Sequence, residues 1–295
     1  MSNYPQEAFV FHNGHFKKAS DVNLQSLGAV LHLTGGAFEG IRAYNTHNGA
    51  RLFKAEAHFN RLKRSCEALG IPFDYPIESL IDITYRLLRK NKMRSAYIRP
   101  FVFSNPDLTF LSDEISIIIS AWEWGPFLGH QPLDVTYLEE DWSPPQAGLE
   151  SVKFTSQYTR SLLALRNAKN AGYDDALLIN QNKQVLQASS ANIFMERDGV
   201  FYTPPLSQAF PGITRDTVFE ICENLGVKIV ERPITLEELQ QADSAFLCGT
   251  ASEIIGIKTI NGQALVDPWM DSLGATVQRY YKNLVLEKEN YEVII

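Results

Sequence analysis

Hydrophobic positions along the 295-residue chain recur with a period of two in some stretches and near 3.6 in others, and the switches outline its elements. FVFHNGHFKKA sets two short apolar runs around Asn13-Gly14, a dipeptide favoured in tight hairpins. From His58 to Leu69, the residues Phe59, Leu62, Cys66 and Leu69 follow helical spacing, and Gly70 stands where a helix end takes a left-handed residue. ESLIDITYRLLRKN predicts a second helix; AYIRPFVF and ISIIISAW predict strands. The stretch EWGPFLGHQP, Glu123 to Pro132, has no period and is rich in Gly, Pro and aromatics, which predicts a linker.

Beyond the linker LDVTYLE alternates as a strand, a helix fits Tyr158 to about Ala171, and DALLIN returns to a strand pattern. VLQASSANIF then interrupts a strand-like run with small and polar residues before resuming it, and a hairpin falls at Asp198-Gly199. PGITRDTVFEICENLG joins Pro, Gly and a Thr cap to a helical pattern. A strand, a short acidic helix, the segment AFLCGTASEIIGI and a C-terminal helix from about Gly274 follow. The alternation predicts a mixed α/β chain in two domains: a smaller N-terminal one over residues 1–122, a linker over 123–132, and a larger C-terminal one over 133–295. Domains commonly hold roughly 100–200 residues, so the length agrees.

Composition narrows the functional classes. A formal charge of −7 and a pI near 5.4 leave no basic footprint for nucleic acid or an anionic membrane surface. No apolar run approaches the ~18–20 residues of a membrane span, and MSNYPQEAFV lacks the regions of a signal peptide. These features predict a cytoplasmic protein that acts on small molecules. Cys66, Cys222 and Cys248 lie in apolar patterns and are expected as reduced, buried thiols. The histidines show no HxxxH spacing and the cysteines no CxxC, so no metal site is expected.

Four segments could carry chemistry, although each also has an ordinary reading. Lys153 precedes a predicted helix start, with Tyr158 five residues later. It is either a surface lysine or a Schiff-base amine made nucleophilic by desolvation. In PGITRD, Gly212 lets the backbone approach an anion as a helix begins, where free N–H groups suit phosphate; a plain helix cap explains the same residues. GTASE, Gly249 to Glu253, places small residues at a strand end, as a ligand site or a turn. Arg61 lies off the apolar stripe of its predicted helix, where a solvated side chain is usual.

Taken together, an amine, a phosphate cradle and a polar strand end are what pyridoxal 5'-phosphate (PLP) requires. The chain resembles the class IV PLP-dependent aminotransferases, and among them the branched-chain amino acid aminotransferases. The likeness runs through FEGIRAY, HFNRLKRS, AYIRP, WGPFLG, the Lys153-to-Tyr158 spacing, ANIF, FYTPP, PGITRD and CGTASEI. It implies the two-domain D-amino acid aminotransferase-like fold, PLP fold type IV, and a homodimer. It also implies that Lys153 bonds the cofactor and later shuttles the substrate proton, while Tyr158 meets the ring hydroxyl. Arg61, the N–H groups of Ile213 and Thr214 after Gly212, and the Thr250 hydroxyl would hold the phosphate. Asn192 and Phe210 would support the ring. Phe38, Gly40, Tyr97, Arg99, Trp124, Thr250 and Ala251 would line the substrate pocket, with Arg99 serving the second carboxylate of glutamate.

The implied reaction is transfer of an amino group between a hydrophobic L-amino acid and 2-oxoglutarate. Alternatives within the resemblance are an aminodeoxychorismate-type lyase and a D-amino acid aminotransferase; outside it stands a PLP-binding protein with little turnover. The chain also departs from the family pattern. Gln187 occupies the position of a family Glu that pairs with the pyridine nitrogen, and an amide can donate to a bare nitrogen or accept from a protonated one. Leu33 and Phe127 stand where branched-chain enzymes usually carry Tyr, which makes the expected pocket more apolar.

Overall fold

The computed structural model describes residues 7–22, 36–104, 114–138 and 152–288; Leu33 lies outside them. Two compact units divide the described chain. The first holds the residues up to Trp124 together with 152–158, and the second holds 125–138 and 159–288.

The first unit contains β1 (Phe9–His12), β2 (His15–Lys18), β3 (Ala37–Phe38), β4 (Ile41–Thr46), β5 (Gly49–Leu52), α1 (Ala55–Ala68), α2 (Ile77–Lys90), β6 (Ala96–Ser104) and β7 (Ile115–Trp122). Its strands form a seven-stranded sheet in the order β2-β1-β7-β6-β4-β5, with β3 added on β6. The described pairings within it are antiparallel. Phe59, Leu62 and Cys66 of α1 and Leu80 and Leu87 of α2 pack against Ile98, Val102, Ile117 and Ile119. Alternation along β6 then turns Tyr97 and Arg99 to the opposite face from Ile98. The hairpin β4–β5 carries no clean period of two, because IRAYNT buries Arg42 and Thr46 beside its apolar residues.

Residues 152–158 were expected in the second block, yet they pack with the first unit. Backbone pairing explains this. Phe154 bridges Ala37, Phe38 N–H donates to Lys153 C=O at 3.0 Å, and Thr155 N–H donates to Gly36 C=O at 3.1 Å.

The second unit contains β8 (Leu133–Leu138), α3 (Tyr158–Asn170, its first residue packing with the first unit), β9 (Asp175–Ile179), β10 (Gln184–Ala188), β11 (Asn192–Arg197), β12 (Val200–Thr203), α4 (Ile213–Leu225), β13 (Ile229–Glu231), β14 (Ile234–Thr235), α5 (Leu236–Gln240), β15 (Ser244–Gly249), β16 (Glu253–Ile260), β17 (Gln263–Ala264) and α6 (Leu273–Leu286). These strands form a mixed ten-stranded sheet in the order β13-β12-β11-β15-β16-β8-β9-β10-β14, with β17 on β16. The parallel pairs are β12 with β13, β16 with β8, and β8 with β9.

Two helix starts in this unit are built differently. Ser272 caps α6 by accepting from Ala275 N–H, and the Glu196 carboxylate accepts from Leu273 and Gly274 N–H. Among the described residues no side chain caps α4. Its N-cap is Gly212, and the expected Thr cap is absent because Thr214 already lies in the first helical turn. The cysteines are free and buried, and burial pushes the Cys66 and Cys222 thiols up to about 12. No described helix is long and apolar enough to cross a membrane.

Candidate active site

The first unit gathers an amine, a phenol and a row of aromatic rings. Lys153 Nζ hydrogen-bonds Tyr158 Oη and lies 4.9 Å from the centroid of the Phe38 ring and 4.5 Å from that of Tyr158. Phe38 and Tyr158 meet edge to face at 4.9 Å. A short helical turn over Thr155–Gln157 lies between Lys153 and Tyr158 and folds the phenol back onto the amine. Phe38, whose N–H is bonded to the Lys153 carbonyl, closes the other side.

Behind Phe38 lies the fully buried carboxylate of Glu39. Four N–H donors converge on it: Arg61 Nε at 2.5 Å, Arg61 Nη2 at 3.0 Å, His58 Nδ1 at 2.8 Å and its neighbour Gly40 N at 3.2 Å. One reaches Oε1 and three reach Oε2, so both oxygens of the carboxylate are met. Burial alone would push the Glu39 carboxyl up; the Arg61 charge and the bonds from His58 and Arg61 outweigh it and hold the group well below the usual carboxylate range. Burial likewise holds His58 below its ordinary value, and the Arg61 and Lys153 charges add to that against the pull of Glu39. His58 is therefore neutral near pH 7 and still donates, through Nδ1–H, to Glu39. Arg61, which the helical stripe left facing solvent, is buried because the sheet supplies this carboxylate.

Beyond the amine stand Tyr97, Trp122 and Trp124, with Tyr97 centred 5.3 Å from Trp122 and 4.9 Å from Trp124. Gly40 is required beneath Tyr97, since a Cβ there would meet its hydroxyl at 2.0 Å. Two arginines edge this cluster. Arg42 donates to the Trp124 carbonyl at 3.0 Å. Arg99 lies 4.6 Å over the Phe38 ring and donates Nη2 to Tyr97 Oη at 3.3 Å, and its Nε is buried without a partner among the described residues. A buried, unmet guanidinium N–H suits a carboxylate acceptor.

The second unit assembles the remaining candidates around the entry to α4. Pairing between β9 and β10 shifts register between Val185 and Gln187. The bulge buries Val185 and Leu186 in succession and re-aims Gln187. Gln187 Oε1 accepts from Phe210 N–H at 3.0 Å, while Asn192 Nδ2 donates to Phe210 C=O at 2.8 Å. Both faces of one residue's backbone are thereby fixed. Gly212 follows so closely that a Cβ would meet Asn192 Oδ1 at 2.1 Å. The chain then enters α4, whose Ile213 and Thr214 N–H groups precede any intrahelical acceptor. Thr250 and Ala251 form the turn after β15, where Ala251 C=O accepts from Phe127 N–H at 2.9 Å.

Lys153, Tyr158, Arg61, Phe38, Gly40, Tyr97, Arg99 and Trp124 thus belong to the first unit, and Gln187, Asn192, Phe210, Gly212, Ile213, Thr214, Thr250 and Ala251 to the second. Sequence reasoning missed Glu39, Arg42, His58 and Ser65. Glu39 could have been found as the one acid in the apolar run AFEGI, and Arg42 as a base among strand residues; His58 and Ser65 left no signal beyond sharing the helical face of Arg61.

A lysine amine paired with a phenol, and an uncapped helix start preceded by a glycine, are what an enzyme using a phosphorylated aldehyde cofactor needs. Known proteins give the class. The profile of the family Amino-transferase class IV matches residues 36–260, and the chain belongs to that family. It is 31% identical to the branched-chain-amino-acid aminotransferase of Pseudomonas aeruginosa over 98% of this chain and 96% of that one. The crystal structure of the Thermoproteus uzoniensis branched-chain aminotransferase with norvaline superposes with a TM-score of 0.89 at 31% identity, covering 96% of both chains. That of the Thermobaculum terrenum branched-chain amino acid aminotransferase in its PLP form gives 0.86, at 26% identity over 96% of this chain and 95% of that one.

The buried cluster sets the acid stability of the first unit. The folded-state pKa of His58 is lowered from 6.5 and that of Glu39 from 4.5, so in both cases the unfolded chain binds the proton more readily. Their contribution is present above the unfolded values and is lost as pH falls, first below 6.5 for His58 and then below 4.5 for Glu39. Resistance of the apoprotein to urea should fall progressively from pH 7 to pH 5, and less steeply in His58→Asn, whose amide keeps the donor without titrating. The same slope in both proteins would show that His58 is not buried neutral.

Proposed function

We propose that this enzyme transfers the amino group of branched-chain L-amino acids to 2-oxoglutarate, with PLP as its cofactor. The observation that carries the reading is the Lys153 amine set against the Tyr158 hydroxyl between aromatic rings. The donor set fits PLP: a lysine for its aldehyde, a phenol for its ring hydroxyl, and the uncapped α4 start for its phosphate. When bound, PLP would supply an aldehyde for the amino group and an electron sink for the substrate's Cα–H bond. Lys153 Nζ carries the proton removed from Cα, and Tyr158 orients the ring through its hydroxyl. The N–H groups of Ile213 and Thr214 and the Thr250 hydroxyl would hold the phosphate, and Arg61, itself held by Glu39, would add its charge. Phe38, Gly40, Tyr97, Trp124 and Ala251 give an apolar lining for a branched side chain, and Phe127 removes a hydroxyl from it.

Arg99 supplies the second specificity. Its unmet N–H receives the distal carboxylate of glutamate or 2-oxoglutarate, whereas a branched side chain packs on the rings below. The protein works in the cytoplasm, which suits its free, buried cysteines. It functions as a homodimer, and the exposed Leu162 and Leu163 of α3 offer apolar surface for the second copy.

Gln187 sets the electronic character of the site. Because Oε1 is taken by Phe210 N–H, the amide would have its N–H end left to offer to the cofactor's ring nitrogen, and would there support the unprotonated form. A carboxylate at this position could keep the Phe210 bond with one oxygen and charge-pair with the other. Charged hydrogen bonds contribute ~1.5–3 kcal/mol against ~0.5–1.5 for neutral ones.

Three variants test these assignments. Lys153→Ala should abolish turnover yet still bind PLP noncovalently by equilibrium dialysis; full activity would remove Lys153 from the site. Arg99→Leu should slow the half-reaction with L-glutamate roughly tenfold to a hundredfold and that with L-leucine far less, matching loss of one charged hydrogen bond. Equal losses would refute the dual pocket. Gln187→Glu should speed single-turnover bleaching of the yellow, PLP-saturated enzyme by L-leucine, by roughly threefold to thirtyfold. A slower mutant at full PLP occupancy would mean that Gln187 does not meet the ring nitrogen.

A further inference from the structure

Both ends of the Lys153 residue are held, and only one by sheet-like pairing. Its carbonyl accepts from Phe38 N–H, but its own N–H donates to a side chain, the hydroxyl of Ser65 on α1, at 2.9 Å. Ser65 is fully buried, and its hydroxyl donates in turn to the Arg61 carbonyl at 2.9 Å. Arg61 grips the Glu39 carboxylate through its guanidinium, and Glu39 follows Phe38 in the chain. The bonds close a circuit: Lys153 N–H to Ser65, Ser65 to Arg61, Arg61 to Glu39, and Phe38 back to the Lys153 carbonyl.

Each link has a reason. Serine inside a helix commonly spends its hydroxyl proton on the carbonyl four residues earlier, and Ser65 does so with Arg61. Its oxygen is then left as an acceptor with a fixed direction. Phe154 joins Ala37 through an isolated bridge rather than a continuous ladder, and the Lys153 N–H turns to the Ser65 hydroxyl on α1. Alanine would suit the helix interior better than serine. The hydroxyl is therefore kept for what it holds.

We propose that Ser65 is a positioning residue for the reaction at Lys153: it fixes the lysine backbone to α1, and so aims the amine beside Tyr158. The inference rests on the assignment of Lys153 as the amine that bonds PLP. Displacing a reacting group by about 1 Å can cost ~10²-fold in rate, so a loosened Lys153 should be visible even if the fold is intact.

The test compares two forms of the cofactor. PLP forms a reversible covalent bond with the lysine amine, whereas pyridoxamine 5'-phosphate has no aldehyde and binds through the remainder of the site alone. In Ser65→Ala, affinity for PLP should fall about tenfold while affinity for pyridoxamine 5'-phosphate stays within about twofold: of the two bonds lost, one frees the Lys153 backbone, whereas the other ends on the Arg61 carbonyl and leaves the Arg61 guanidinium held by Glu39. Its kcat should fall with little change in KM, and Ser65→Thr, which keeps the hydroxyl, should recover most of both. Equal weakening of the two cofactor forms would assign Ser65 a merely structural role and overturn the proposal, as would wild-type behaviour. Should Ser65→Ala not fold, Ser65→Cys, with a weaker acceptor in the same place, carries the same comparison. Borohydride reduction and peptide mapping of the wild type separate the two levels: PLP fixed elsewhere than Lys153 would overturn the functional reading, whereas PLP on Lys153 with an unaffected Ser65→Ala would overturn only the role of Ser65.

Discussion

Burying an ionised carboxylate is costly unless its oxygens are met, and the first unit is arranged around meeting those of Glu39. Removing one partner from a buried ion pair typically costs about 3–5 kcal/mol, because the charge left behind has nowhere to go. Glu39 therefore needs Arg61 and His58 on the same face of α1, which fixes how that helix lies on the sheet. Once the helix is so placed, Ser65 one turn further on meets the Lys153 backbone. A charge in the core thus determines where the amine stands.

The second unit solves its own positioning problem with neutral groups. The Phe210 backbone is held by Gln187 on one side and Asn192 on the other, and the Gln187 bond depends on the bulge in β10 that turns this side chain out of the strand's rhythm. A backbone fixed in this way presents Gly212 and the start of α4 in one geometry. Helix N-termini owe their anion affinity to unmet N–H groups, so leaving α4 without a side-chain cap preserves that property. The start of α6 is the opposite case: its first N–H groups are met by Ser272 and Glu196, and it has no donors to spare for a ligand.

Strand and helix positions followed from periodicity wherever one face was apolar. The strands β6 and β7, the helices α1 and α2, and the Asn13-Gly14 hairpin all lie where the pattern placed them, within a few residues. The hairpin β4–β5 escaped it, because a strand that buries an arginine breaks the alternation on which the inference depends. The motifs also sufficed for the family, since short segments in fixed order carry chemistry that composition does not.

What the sequence by itself determined was the set of parts: the elements, the lysine five positions before Tyr158, the glycine before α4 and the family motifs. Tertiary structure alone decided how those parts act. Whether Arg61 is solvated or buried depends on a carboxylate twenty-two residues away, and the unit to which Lys153 belongs depends on pairing with β3 and α1 across a long stretch of chain. Local periodicity reports only which face of an element is apolar. A buried charge is decided by what the opposite face of the fold supplies, and hydrogen bonds between distant segments leave no periodic trace.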